Sequence, residues 1–488
     1  MNKKFVINLG LLLLLNFLVK PFYILGIDGE IQNRVGQEIY GQYFSLLGLT
    51  FLLNIILDVG IVNYNTRNIA QHNFLLTKYF PYIIALRLIL SAFFGVSVLL
   101  TWWFLGYSFD TFHMIMWLIA NQIIMGFILY VRSNLTGLHL FKQDSIISVL
   151  DRFLMVAICA ALLWGGITKT PFKIEWLIYA QTVAYLVTLV LALYFLTKSA
   201  KPKLFKYRRA VSINILKQSL PYAVLILLMV IYYRIDSVMI ERMLPDGKLQ
   251  AGIYANAFRF FEAGNNIASL FAIILLPVFA KLIKEKQKVD SLVVTASKLL
   301  IPGGIIIVII SFFYSYELMG ARYDNYVDQS APVFSLLMAC FFFVSCTYIF
   351  GTLLTANGSL KILNRVALSG AILNVVLNIV LIPYYKAFGA ALASLITQAV
   401  TAVIQLFIAS KLFKLKLNIK LMTSLMVFLA LVVAVTFTTR VYVSFINSWW
   451  LEVIFILIVS VLVLVSLGLI RINDLKTLIL SYKSNRNE

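Results

Sequence analysis

Apolar residues do not alternate with polar ones along this chain; they run in long blocks, broken only by short polar interruptions, nearly from end to end. Roughly 20 apolar residues in a helix cross a hydrocarbon core about 30 Å thick. The blocks predict spanning helices near residues 5–25, 40–65, 79–104, 114–135, 145–166, 175–197, 216–240, 250–280, 293–316, 331–356, 361–383, 388–411, 421–439 and 449–470, about fourteen in all. The predicted class is all-α and polytopic.

The blocks group into two sixes and a final pair. Lys198, Lys201, Lys203, Lys206, Arg208 and Arg209 form the strongest like-charge run and predict a basic cytoplasmic connector. The expected organisation is an N-terminal six-helix lobe over 1–197, the connector over 198–215, a second lobe over 216–412, and two additional helices with a tail over 413–488. The sixes share local wording. Gly41-x-Tyr43 with Asn54 matches Gly252-x-Tyr254 with Asn265, and Leu135-Thr136 with Lys142 matches Leu354-Thr355 with Lys361. Matches at equivalent topological positions favour two parallel repeats, an arrangement found in transporters with a midplane site.

Composition agrees with the blocks. The 488 residues are 61% hydrophobic and 12% charged, with a mean hydropathy of +0.93, far from the roughly 45–50% apolar and 25% charged of soluble domains. The net charge of +21 raises the question of nucleic acid, but the charge has a side. Alternate loops place about 28 of the Lys and Arg residues on one face, about 8 on the other and about 5 within the spans, as the positive-inside rule describes. Basicity therefore reports topology and contact with membrane lipids, not nucleic acid, and predicts both termini in the cytoplasm. The basic start and apolar run resemble a signal peptide, but Lys20-Pro21 stands where a small-residue cleavage site would be, so the run reads as a retained first span. Cys159, Cys340 and Cys346 lie inside blocks and make no metal or disulfide pattern.

The informative residues are charges inside the spans. Lys20, Arg87, Arg152, Arg234 and Arg259 are candidates for a cationic, substrate-binding cavity, because each would cost roughly 2.5–3.5 kcal/mol facing lipid at mid-bilayer. Guanidinium groups suit bidentate contact with phosphate oxygens. The competing reading is helix pairing: Asp151 adjoins Arg152, Glu262 follows Arg259 by one turn, and Asp236 is near Arg234. Lys20 and Arg87 have no neighbour of opposite charge in sequence. Arg87 and Arg152 are expected toward the cytoplasm, and Lys20, Arg234 and Arg259 toward the outside. Asp58, Asp236 and Glu262 are candidates for proton or sodium coupling, since a buried carboxylate can exchange a proton near neutrality. Tyr222, Tyr232, Tyr233 and Tyr254 could stack on sugar rings, against a strong expectation of plain packing. Pro21, Pro221, Pro277 and Pro383 are candidate kinks, and Gly351 and Gly389 with Ala390-Ala391 favour close helix packing.

Several chemistries lack their residues. There is no phosphate-binding loop of the Gly-x4-Gly-Lys-Ser/Thr kind, and His72, His113 and His139 have no zinc spacing. No nucleophile-histidine arrangement or Asp-x-Asp pair can be nominated. The chain is read as a non-enzyme with no catalytic residue, metal or cofactor.

Longer stretches carry a resemblance: Gly41-Gln-Tyr43 leading to Asp58-Val-Gly60 and Arg67; Tyr233-Arg234-Ile-Asp236 leading to Gly252-Ile-Tyr254 and Arg259; and Asn357-Gly-Ser-Leu-Lys361 with Asn374, Asn378, Pro383 and Gly389-Ala-Ala391. Over most of its length the chain resembles the polysaccharide-transporter branch of the multidrug/oligosaccharidyl-lipid/polysaccharide (MOP) exporter superfamily, which includes O-antigen flippases of the Wzx type. The resemblance implies a MATE-like fold of two six-helix lobes with two extra helices. It implies alternating-access transfer of a polyprenyl-diphosphate-linked oligosaccharide from the inner to the outer leaflet of the bacterial inner membrane, serving O-antigen, capsule or exopolysaccharide assembly. Membrane lipids and polysaccharide polymerase machinery are the implied partners. A peptidoglycan-precursor flippase and a small-cation drug exporter remain open, as does a membrane polymerase or glycosyltransferase, though no outward loop here is large enough to hold an acceptor and catalytic acids.

Overall fold

The computed structural model describes residues 18–71, 74–138, 140–166, 170–199, 206–415, 418–442 and 448–469. Both termini, most of the first predicted span, Lys201, Lys203, His72 and His139, and the side chains of Arg67, Pro221 and Tyr222 lie outside the described residues. Within them the protein is all-helical: α1 (Gly29–Val35), α2 (Gln37–Leu53), α3 (Ile55–Asp58), α4 (Ile61–Gln71), α5 (Leu75–Phe104), α6 (Phe112–Gly137), α7 (Phe141–Trp164), α8 (Ile174–Ser199), α9 (Arg209–Met243), α10 (Gly247–Lys284), α11 (Asp290–Phe313), α12 (Ser315–Gly320), α13 (Val327–Ala356), α14 (Leu360–Phe413), α15 (Ile419–Tyr442) and α16 (Trp449–Ser466). Eleven of the described helices are long and apolar enough to cross a membrane. Lipid offers no partner to a backbone N–H or C=O, so each segment must satisfy its own.

Two compact units divide the chain, one up to Ala255 and one from Asn256 on. In the first, α6 packs on α8 and α4, α7 on α8, and α2 on α9. Ile61, Phe80, Ile83, Tyr130, Leu135, Ile147, Tyr185 and Leu196 form a continuous buried core, with the Phe80 and Tyr130 rings 5.6 Å apart. Between lipid-embedded helices such contact is held by van der Waals fit and hydrogen bonds more than by expulsion of water.

Two expectations change here. The predicted first loop, Asp28 to Glu38, is mostly helix: a π-helical stretch, Phe22–Asp28, runs straight into α1. Asp28 is buried and accepts a 2.5 Å hydrogen bond from the Tyr40 hydroxyl. The predicted second span, 40–65, is broken. Val59 (φ 45°) and Gly60 (φ 77°) take the left-handed region between α3 and α4, and Asp58 Oδ1 accepts the Val62 N–H at 3.2 Å, replacing a backbone partner that the break removes.

The matched repeat motifs meet within this unit. Gly41 on α2 and Gly252 on α10 face each other so closely that a Cβ on Gly41 would collide with the Lys248 carbonyl, and one on Gly252 with the Gln37 carbonyl. Gln37 precedes Gly41 by one helical turn, as Lys248 precedes Gly252, so the contact is reciprocal. Gln32 Nε2 donates to the Gly252 carbonyl at 2.9 Å. The second motif pair also holds its place: Leu135-Thr136 ends α6 just before Lys142 opens α7, and Leu354-Thr355 ends α13 just before Lys361 opens α14.

In the second unit α13 packs on α14 and α11 on α13, while α15 joins α11 and α16. The predicted spans 361–383 and 388–411 are the two arms of α14, which departs from helical geometry at Lys386 (φ 52°, ψ −133°). Gly370 on one arm lies against Thr401 on the other, and a Cβ on Gly389 would sit 2.5 Å from the Leu381 carbonyl. The close packing expected of Gly389 is therefore a backbone requirement at the turn. The added pair, α15 and α16, docks on α11 through Ile305, Ile309, Phe428, Val432, Ile456 and Leu464.

Candidate functional site

Three cations of the first unit share one neighbourhood. Lys20, on the helical stretch before α1, interacts electrostatically with Arg152 on α7 and Arg132 on α6, and with Asp151. Arg152 lies over the Tyr23 ring at 4.9 Å and 3.7 Å from Asp151. Arg132 grips Asp144 with Nε at 2.7 Å and Nη2 at 3.4 Å. The Arg152 and Arg132 side chains are 26% and 23% exposed, so they keep an open side. With cations outnumbering the carboxylates, the cluster can accept an anion's oxygens.

The sequence places Lys20 and Arg152 toward opposite sides of the bilayer, whereas the structure groups Lys20 electrostatically with Arg152 and Arg132. The reason is the length of its helix. Arg34, at the far end, donates to the Leu163 carbonyl near the end of α7 at 2.9 Å, and at 1.5 Å per residue Lys20 lies about 21 Å back along the axis. Arg132 was missed because it falls so near the end of its predicted span that it reads as a flanking charge; its i,i+12 relation to Asp144 has no sequence signature.

Arg87, without a sequence neighbour of opposite sign, pairs across helices with Asp58, Nη2 to Oδ1 at 3.1 Å. It is 2% exposed and lies 5.3 Å from the Tyr130 ring centre and 6.0 Å from that of Phe127. The carboxylate is the more open partner, its side chain 24% exposed against 3% for the arginine. The break after α3 thus presents Asp58 at once to a helix start and to a guanidinium. Gly126 packs beside them, where a Cβ would make ordinary van der Waals contact, 3.8 Å from Arg87 Nη2.

The remaining nominated residues are engaged locally. Arg234 lies over the Phe51 ring at 4.6 Å, while the Tyr254 hydroxyl donates to buried Asp236 at 2.8 Å. Tyr254 is thus an acid's partner, and Tyr232 and Tyr233 are tilted against one another at 5.1 Å. In the second unit Arg259 binds Glu262 one turn away at 2.6 Å. The three acids nominated for ion coupling, Asp58, Asp236 and Glu262, each hold a hydrogen-bond donor. In the short connection between α5 and α6, Tyr107 donates to Glu241 at 2.7 Å. Burial first, and then the Glu241 charge, raise this phenol above its ordinary value, so it remains a donor.

This architecture has solved counterparts. The chain aligns over 95% of its length with 98% of a lipid II flippase MurJ in an inward closed conformation, at 15% identity and a TM-score of 0.72. It aligns over 81% of its length with 94% of a multidrug resistance MATE family transporter of the MOP superfamily in an inward-facing conformation, at 14% identity and TM-score 0.61. A MOP superfamily transporter from Pyrococcus furiosus, described as having reverse polarity of its binding pocket, aligns at 15% identity and TM-score 0.56, covering 84% of this chain and 95% of its own. These likenesses establish the MATE-like fold of a polytopic membrane protein. Residues 8–283 match the model of the polysaccharide biosynthesis protein family, and the chain belongs to that family. No curated protein matches it by sequence.

Proposed function

We propose that the protein is a flippase that moves a polyprenyl-diphosphate-linked glycan from the inner to the outer leaflet of the bacterial cytoplasmic membrane, supplying surface polysaccharide assembly such as O-antigen or capsule. The observation that carries this reading is the grouping of Lys20, Arg132 and Arg152 on three neighbouring elements. A diphosphate moved into hydrocarbon loses strong hydrogen bonds to water. Arginine forks replace them with charge-assisted ones, while the isoprenoid tail stays in lipid.

The cluster would bind the diphosphate on the cytoplasmic side and release it after the site is exposed to the other leaflet. A differential affinity of the two states for the anion is what lets cargo shift the equilibrium. Membership in the polysaccharide biosynthesis family and the fold shared with a lipid II flippase support a lipid-linked glycan as the cargo class. Sugar transfer is not part of the reading.

The test is flipping in proteoliposomes loaded with a fluorescent polyprenyl-diphosphate sugar, its exposed label quenched from outside. Purified protein should raise the accessible fraction, and Arg152→Gln should abolish the rise. Equal flipping by the Gln variant, or none by wild type with any lipid-linked glycan offered, overturns the proposal.

A further inference from the structure

The second unit holds an open cleft of about 730 Å³ where the start of α11 meets the junction of α14 and α15. Lys288 and Lys414 line it, with Asn418 beside them and Val294, Phe413 and Ile419 forming an apolar side. Among the described residues no carboxylate is ion-paired with either lysine. Asp290 also lines the cleft, so among the described lining residues two lysines stand against one carboxylate.

Local geometry fixes Lys414 there. It caps α14 in the left-handed conformation, φ 49°, with its N–H and that of Leu415 both bonded to the Ser410 carbonyl. Glycine usually fills such a cap because a side chain is strained there. Lys286, two residues past the end of α10, also takes the left-handed region, at φ 56°, with the next N–H, that of Gln287, bonded back to the Leu282 carbonyl. A lysine in place of glycine gives each cap a cation beside the loop.

We propose that this cleft is a binding site for an anionic phospholipid, held by its phosphate on Lys288 and Lys414, with Asn418 as a further polar contact and the glycerol and upper acyl chain on Phe413, Ile419 and Val294. By the alternation of spans in the sequence, both connections fall on the basic face, the one the positive-inside rule assigns to the anionic cytoplasmic leaflet. Basic pockets between spanning helices on that side suit lipid headgroups. The position is specific: the lipid bridges the added pair α15 and α16 to the lobe through α11, against which α15 packs. The site is separate from the cluster around Lys20 and does not depend on the flippase reading.

The test is native mass spectrometry and thermal-shift titration of the full chain with phosphatidylglycerol, phosphatidylcholine and a short-chain polyprenyl diphosphate. Wild type should bind phosphatidylglycerol preferentially and gain thermal stability from it. Lys288→Gln with Lys414→Gln should weaken that binding about fivefold per lysine removed. Lys288→Arg with Lys414→Arg should retain it, as should Lys284→Gln with Lys361→Gln, which lowers the charge equally outside the cleft. Unchanged binding in the cleft variant, equal loss in the outside variant, or displacement of phosphatidylglycerol by the polyprenyl diphosphate would each overturn the assignment.

Discussion

The nitrogen of Gly252 lies 2.5 Å from where a Cβ on Gly41 would stand. Backbone fills both sides of this contact, so no rotamer change relieves a methyl group there. Gly41→Ala and Gly252→Ala should each cost about 1–3 kcal/mol or more, the range for overpacking in a tight interior, and lower the melting temperature in detergent. Gly303, where a Cβ would meet nothing within 4 Å, supplies the control. Gly303→Ala should melt as wild type does, and equal melting by all three variants would show that α2 and α10 can part freely.

Arg87 and Asp58 allow structure and function to be separated. Removing one partner strands a buried charge and typically costs about 3–5 kcal/mol, whereas removing both does not. Arg87→Gln and Asp58→Asn should each destabilise strongly, and the double variant should recover most of the loss. If Arg87 also contacts cargo, the recovered double variant will still fail to restore surface glycan in cells lacking the native protein. Full restoration would leave the pair a structural one.

For the Lys20, Arg132 and Arg152 cluster, chemistry predicts a graded series. Arg152→Lys keeps charge but loses the planar fork and the guanidinium's place over the Tyr23 ring, so flipping should fall in part. Arg152→Gln should abolish it, and Lys20→Gln should weaken cargo binding with membrane insertion intact. Initial flipping rates against cargo concentration distinguish a binding loss from a defect in the transition itself.

The C-terminal end of α15 and the start of α16 are tied to α12 and its approach by a polar chain. Arg440 pairs with Glu317 and lies over Tyr314 at 4.9 Å, while the Tyr314 hydroxyl donates to Glu452 at 2.7 Å. Tyr314→Phe leaves the 9%-exposed Glu452 without that donor, a loss of about 1–3 kcal/mol for an unmet buried acceptor. Tyr314→Phe with Glu452→Leu should regain stability, because two apolar groups satisfy one another. A double variant no more stable than Tyr314→Phe would place the effect elsewhere.

Most spans could be read directly, since a long apolar block has no other stable state in lipid. The near-invisible elements were those set by contact. The break after α3 follows from the Asp58 side chain meeting both Val62 and Arg87, and an apolar block with one acid gives no warning of it. The extra length of the first helix escaped because Asp28, Glu30 and Arg34 look like loop residues; Tyr40 engages Asp28, and Arg34 reaches both Glu30 and the Leu163 carbonyl, once the fold is formed.

Hydropathy is a property of consecutive residues, and it suffices for an all-helical, multi-pass membrane protein with two similarly worded stretches and a set of cations within its apolar blocks. Which cations stand together is a matter of packing. Arg87 found Asp58 on another helix, Lys20 grouped with Arg152 and Arg132, and Arg132 found Asp144. Ion pairing depends on distances of a few ångströms across helices, and those are fixed by packing angles and helix lengths that no local pattern records.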